Sequence, residues 1–323
     1  MKRGKTALVL GGGGSRGAYE IGVWQALNEL GIEINIVTGT SIGAVNGALV
    51  AQNDFETAKK NWKELEEGTI IELTEKDQLR NILEKNLNEE AIRASLTEYG
   101  IVTVEFPSFK SHCMFIEEIP EGELIDYILA SSACFPMINP YKIKDKKFID
   151  GAYFDNIPVE MALKKGAQNV IVADLDSIGV ERKEAYKDVE FLKLISCKWP
   201  LGSCSAFKLK NTKRLIRLGY LDTMKGFNVY SGEKYTFIKG EFTKRGLGEA
   251  DAAAAIFELD PTIIYSKEIL DKKLLEAIEE EERKSWAEEL KSKLKKIVKN
   301  KPATLMEEEI LAKRYVEKNG LMW

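Results

Sequence analysis

The chain has a single histidine, His112, among its 323 residues. One imidazole cannot build a multi-histidine metal site, and it leaves a Ser-His-Asp triad only one candidate base. Cysteine is scarce as well: four occur, at 113, 134, 197 and 204, with no Cys-x-x-Cys, so neither a disulfide scaffold nor a zinc knuckle is encoded. No apolar run reaches the ~18 residues that span a bilayer. The apolar run Ala7–Leu10 after the basic start is too short for a signal-peptide core. An excess of positive charge is also missing. The 47 basic and 51 acidic side chains leave a net −4, with no global field to hold a phosphate polymer. The expectation is a cytoplasmic protein that does not bind nucleic acid, with peripheral contact at the inner face of a membrane left open.

What is present points to a folded α/β chain. Hydrophobic residues make up 44% and charged residues 30%, which excludes a wholly disordered or collagen-like chain. Thr6–Leu10 is a short apolar run that ends in four glycines and reads as a buried strand. Arg16–Leu30 follows with helical spacing of its apolar residues, and Gly31 supplies the stop. A second strand, Ile34–Val37, leads through Gly39-Thr40-Ser41-Ile42-Gly43 into the small-residue helix Ala44–Ala51. Strand, glycine loop, helix, strand, glycine turn and helix predict a largely parallel sheet. Further along, the pattern predicts helices over Phe55–Glu67 and Glu121–Ala130 and strands over Ile101–Glu105 and Cys113–Glu117. Asn169–Leu175, an almost continuous apolar run, suits a strand covered on both faces. After about residue 232 the chain becomes mainly helical, with an alanine-rich stretch at Asp251–Phe257. Glu268–Val298 alternates in charge and carries Trp286, Leu290, Leu294 and Ile297 on one face, with a break near Ser285. Such an amphipathic region packs against a core or another subunit, so a homo-oligomer stays open.

Two glycine segments carry the chemistry. Gly12, Gly14 and Gly17 satisfy G-x-G-x-x-G between a strand and a helix, as a dinucleotide fingerprint would. A nicotinamide enzyme also wants an acidic residue near the end of the second strand, and Thr38 stands there. The other reading is an oxyanion loop, in which the backbone amides of Gly12, Gly13, Gly14 and Ser15 face one point. Arg16 would then support the loop or meet a substrate phosphate. Gly39-Thr40-Ser41-Ile42-Gly43 decides between them, because G-x-S-x-G between strand and helix is the nucleophile-elbow pattern. Its flanking Gly39 and Gly43 leave room for a sharp turn that lifts the Ser41 hydroxyl over the sheet rim. The serine needs a base. His112 sits between a polar turn and a strand with no supporting signature. Asp150, just before Gly151, offers a carboxylate protruding from a tight turn.

The whole constellation resembles the patatin-like phospholipase family, specifically its bacterial members. The correspondence runs through GGGGSRG at 11–17, GTSIG at 39–43, ASSACFP at 130–136 and DGAYFDNIPVE at 150–160, in family order over roughly residues 5–175. The DGA at 150–152 stands where DGG is commoner. The resemblance implies a three-layer α/β core at 5–175, continued over 176–231, with a helical region at 232–323 outside it. It implies a Ser41–Asp150 dyad without a catalytic histidine, an oxyanion hole at Gly12–Ser15, and loop-shaping roles for Asn156 and Pro158. It further implies hydrolysis of fatty acyl esters, phospholipids or lysophospholipids, without a metal or organic cofactor. Phe135, Pro136, Met137 and Ile138 are candidates for an acyl groove or for plain core. The rivals from other classes are a non-catalytic lipid- or nucleotide-binding protein and a nicotinamide-dependent oxidoreductase.

Overall fold

The computed structural model of the chain describes residues 1, 3–64, 76–283 and 304–320. They fall into two compact units, residues 1–226 and 227–323, against an expected change of character at about residue 232.

The first unit is built on β1 (Thr6–Leu10), a fully buried strand. A tight 3-10 turn, Gly14–Gly17, then opens into α1 (Ala18–Glu29), so the helix starts later than its apolar spacing alone suggests. β2 (Ile36–Thr40) leads through Ser41 into α2 (Ile42–Ala51), followed by α3 (Phe55–Glu64), α4 (Lys76–Asn86) and α5 (Glu89–Arg93). Next come β3 (Glu98–Phe106), β4 (Ser111–Phe115), α6 (Leu124–Ser131), β5 (Tyr141–Ile143) and β6 (Lys146–Asp150). α7 (Val159–Lys164), β7 (Asn169–Asp174), β8 (Phe191–Ser196) and α8 (Leu209–Gly226) complete the unit.

The strand order is β5-β6-β3-β2-β1-β7-β8, with β4 also paired to β3. Five neighbouring strands, β3, β2, β1, β7 and β8, run parallel, whereas β4, β5 and β6 pair antiparallel. This mostly parallel sheet with flanking helices is the α/β architecture the sequence pattern predicts. Parallel strands need both faces covered, which is why β1, β2 and β7 are almost wholly buried and β1 and β7 are mainly apolar. α1 is buried nearly all round because α8 packs along it. The crossing is close enough that a Cβ on Gly22 would lie 1.9 Å from the Ile216 carbonyl oxygen, and one on Gly219 2.0 Å from that of Tyr19.

Register then positions the chemistry. Leu10 lies beside Gly39, so the carboxyl ends of β1 and β2 reach the same rim. Thr40 pairs with Val102 of β3, and the next residue of β3, Thr103, faces Asp150 of β6. Ser41 and Asp150 therefore stand at one level with a single strand between them.

The second unit is not purely helical. Three short strands, β9 (Tyr230–Ser231), β10 (Thr236–Ile238) and β11 (Ile264–Tyr265), form a small sheet in the order β11-β10-β9. With them pack α9 (Lys244–Ile256), which contains the alanine-rich stretch, α10 (Lys267–Arg283) and α11 (Thr304–Lys318). Tyr235, Phe237, Ala253, Leu270 and Val316 are buried in this unit. Trp286, Leu290, Leu294, Ile297 and the expected break at Ser285 lie outside the described residues, as does the end of the expected Phe55–Glu67 helix. No described helix is long and apolar enough to cross a membrane.

Candidate active site

Ser41 is held at φ 56° and ψ −123°, a left-handed conformation that costs a non-glycine residue about 1–3 kcal/mol. The surroundings impose it. A Cβ on Gly39 would lie 2.2 Å from the Gly43 carbonyl oxygen, and one on Gly43 would lie 2.3 Å from that of Leu10, so neither position admits a side chain. The Ser41 amide donates to Ser131 Oγ at 2.9 Å, and that hydroxyl donates to the Val102 carbonyl at 2.7 Å. Ser131, the last residue of α6, thus bolts the elbow to β3. It lies within the ASSACFP segment, but nothing in its spacing marks this task.

Asp150 ends β6 and caps the 3-10 turn Gly151–Tyr153. Its Oδ1 accepts from the Ala152 amide at 2.9 Å, and the Ser41 hydroxyl is near enough to favour the charged carboxylate. Gly151 makes this approach feasible, since a Cβ there would lie 2.2 Å from the Val102 carbonyl oxygen. Burial pushes the Asp150 carboxyl from the ordinary 3.8 up to about 6, against the lowering effect of the Ala152 amide and the Ser41 hydroxyl. A carboxylate in that range is matched to taking a proton near neutral pH.

The glycine loop faces the same point, with part of its donor set already committed. The Gly12 amide donates to the Asn156 carbonyl at 3.2 Å, and the Ser15 amide to the Cys204 carbonyl at 2.8 Å. The amides of Gly13 and Gly14 have no acceptor among the described residues, and both glycines line the cavity in front of Ser41. Of the four amides expected to act as donors, these two are the ones without an acceptor among the described residues. Gly14 has φ 55° and its hypothetical Cβ would lie 2.2 Å from the Cys204 oxygen, so glycine is required there. Arg16 turns away from the cavity. Its guanidinium donates to the carbonyls of Gly202, Leu175 and Asp176, supporting the loop rather than reaching for a substrate phosphate.

Behind the loop, Asn46 donates to Glu20 at 2.7 Å and to the Gly17 carbonyl at 3.0 Å, while Trp62 Nε1 donates to Asn46 Oδ1 at 2.9 Å. Burial pushes the Glu20 carboxyl well above the usual carboxylate range. Thr38 is spent in the core, donating to the Pro158 carbonyl at 3.0 Å, and is not placed to hold a ribose.

From Ser41 a cavity of about 170 Å³ runs into the helical layer. Its walls are mainly apolar, from Val45 and Leu49 of α2, Trp62 of α3, Leu83 of α4, Leu129 of α6, and Met137 and Ile138. Met137 and Ile138 therefore line this space, whereas Phe135 packs at a tilt against Phe106, with 5.4 Å between ring centres. His112 is elsewhere. It pairs through Nε2 with Glu105 at 3.1 Å and packs edge-on against Phe148. Among the described residues no group of three or more His, Cys, Asp and Glu side chains gathers as metal ligands.

A serine on a strained strand-to-helix turn, at the carboxyl rim of a mostly parallel sheet and opposite a glycine loop, defines an α/β protein with a nucleophile elbow. Residues 8–163 match the family model of the patatin-like phospholipases. The lysophospholipase nte1 of Aspergillus terreus is 32% identical over 196 residues, covering 56% of this chain and 12% of that protein. Patatin-like phospholipase domain-containing protein 7 of Mus musculus is 30% identical over 190 residues, covering 53% of this chain and 14% of that protein. The chain thus spans only 12–14% of the length of these curated relatives. Among solved structures, VipD from Legionella pneumophila aligns with a TM-score of 0.45 and 14% identity, over 88% of this chain and 78% of that one.

Proposed function

We propose that this chain is a serine acyl hydrolase acting on fatty acyl esters of the phospholipid and lysophospholipid class. The observation that carries the reading is that the Ser41 hydroxyl and the buried Asp150 carboxylate line one cavity with the unpaired Gly13 and Gly14 amides. Ser41 Oγ attacks the ester carbonyl carbon while Asp150 takes its proton. The carbonyl oxygen, now negative, is met by the two loop amides and the positive end of the helix they open into. The tetrahedral intermediate collapses, Asp150 returns the proton to the leaving alcohol, and an acyl-enzyme remains on Ser41. Water deprotonated by Asp150 then attacks that acyl group and releases a carboxylic acid and free Ser41. The fatty acyl chain occupies the apolar cavity. The names of the relatives make lysophospholipids the first substrates to try.

The same reading places membrane contact at the cavity mouth. Met137 and Ile178 line the cavity yet are 58% and 98% exposed, and Tyr153 and Val180 are exposed beside them. Large apolar side chains in that position suit the entry of a lipid from an interface. The test is labelling with a fluorophosphonate together with release of fatty acid from a lysophospholipid. Both should occur with the wild type and vanish in Ser41→Ala. A folded wild-type protein that neither labels nor releases acid refutes the proposal.

A further inference from the structure

The helical part of the cavity wall is mainly apolar, and the side-chain amides that α2 and α3 bring to it are not equivalent. Asn46 has every polar atom engaged, by Gly17, Glu20 and Trp62. Asn61, the neighbour of Trp62 on α3, lines the same cavity and is only 8% exposed. Its side-chain amide has no hydrogen-bond partner among the described residues. The Asn61 amide atoms keep access to solvent in the open cavity, and an amide cut off from water without a partner costs about 1–3 kcal/mol, so filling the cavity is expensive unless the occupant bonds to it. A plain hydrocarbon chain filling this space would strip the Asn61 amide of solvent and offer nothing in return.

We propose that this chain prefers acyl esters carrying a polar oxygen, a hydroxyl or a keto group, in the carboxyl-proximal half of the acyl chain, and that Asn61 is the residue that recognises it. The inference rests on the acyl-hydrolase reading above and adds to it the class of acyl chain. The position follows from the helix geometry. Trp62 bonds Asn46, five residues beyond Ser41, which sets this part of α3 about 7.5 Å along α2 from the nucleophile. Asn86 also lines the cavity, and its carbonyl accepts from Gln52, the residue just after α2 and six positions beyond Asn46. A polar group recognised by Asn61 therefore lies well short of the chain terminus. Asn61 can donate to a keto oxygen and can both donate to and accept from a hydroxyl.

The test compares three dodecanoyl esters of one alcohol: unsubstituted, with a keto group at roughly the sixth carbon, and with a keto group next to the chain end. For the wild type, kcat/KM should be about 5- to 100-fold higher for the mid-chain keto ester than for the unsubstituted one. In Asn61→Leu that preference should collapse to about onefold, chiefly by loss on the keto ester. Equal wild-type turnover of all three esters overturns the proposal while leaving the hydrolase reading intact. So does a preference for the chain-end ketone, or a mid-chain preference that survives in Asn61→Leu. Should Asn61→Leu fail to fold, Asn61→Thr, which keeps a hydroxyl near the site, should show a reduced mid-chain preference; an undiminished one also overturns the proposal. Failure of the wild type to hydrolyse any ester or to take a fluorophosphonate label removes the hydrolase reading, and this proposal with it.

Discussion

The two ends of the cavity are made in different ways. The polar end consists of short contiguous segments, Gly11–Gly17, Gly39–Gly43 and Asp150–Gly151, in which the backbone does most of the work and spare volume is absent. The apolar end is assembled from side chains of α2, α3, α4, α6 and the segment after α6, none of which carries a local signature. At the first end a single methyl group is excluded by carbonyl oxygens close to 2.2 Å away; at the second, shape and polarity vary with each residue. Chemistry that needs fixed amides is built from backbone. Selectivity is left to replaceable side chains.

The sharpest way to break this contrast is at the polar end. Ser41→Ala should abolish ester turnover, by about 10⁴-fold or more, with an unchanged circular dichroism spectrum. Asp150→Asn should cost about 10²- to 10⁴-fold in kcat under the same check, and retention of wild-type kcat would remove Asp150 from its role. Ser131→Ala takes away the partner of the Ser41 amide and of the Val102 carbonyl. It should lower stability by about 1–3 kcal/mol in urea unfolding and reduce turnover with it.

The pH profile probes the same end. Asp150 must be ionised to accept the serine proton, so turnover should fall on the acid side with a midpoint at about 6 and level off above it. Because this carboxyl is raised in the fold, the folded state holds the proton more tightly than the unfolded chain does. Its contribution to stability is therefore present below the ordinary 3.8 and is lost as pH rises through about 6, a slope that Asp150→Asn should flatten. At the apolar end, Leu49→Phe should act as a chain-length filter. It should lower kcat/KM for long acyl esters by about tenfold while sparing butanoyl esters, at a stability cost of about 1–3 kcal/mol. The smallest effect belongs to His112→Gln, which should leave turnover within about twofold, since the ring is tied to Glu105 and does not line the cavity. A collapse of turnover in that variant, with the fold intact, would overturn the serine-aspartate pairing.

Much of the polar end was legible because each motif is local. The strand-loop-helix order around Gly12 and Ser41 could be read from apolar runs ending at glycines, and the sheet class followed from it. The loop's donor set was less legible. Gly12 and Ser15 looked equivalent to Gly13 and Gly14, yet their amides are spent on Asn156 and Cys204, partners far along the chain. Arg16 read equally well as a phosphate contact until three distant carbonyls claimed its donors. Beyond residue 226 periodicity announced helices, but the two- and three-residue strands of the small sheet are too short for an alternating pattern to register.

By itself the sequence singled out the candidates for the chemistry: a serine in an elbow pattern, a carboxylate at a tight turn, a run of amides free of side chains, and a single histidine. These are properties of neighbouring residues and survive without knowledge of the fold. Only the tertiary structure decided that Ser41 and Asp150 stand one strand apart, because strand register is set by pairing and not by either segment alone. It alone decided which amides remain free and that Asn61 lines the cavity in front of Ser41. Burial and hydrogen-bond satisfaction depend on what the rest of the chain brings alongside.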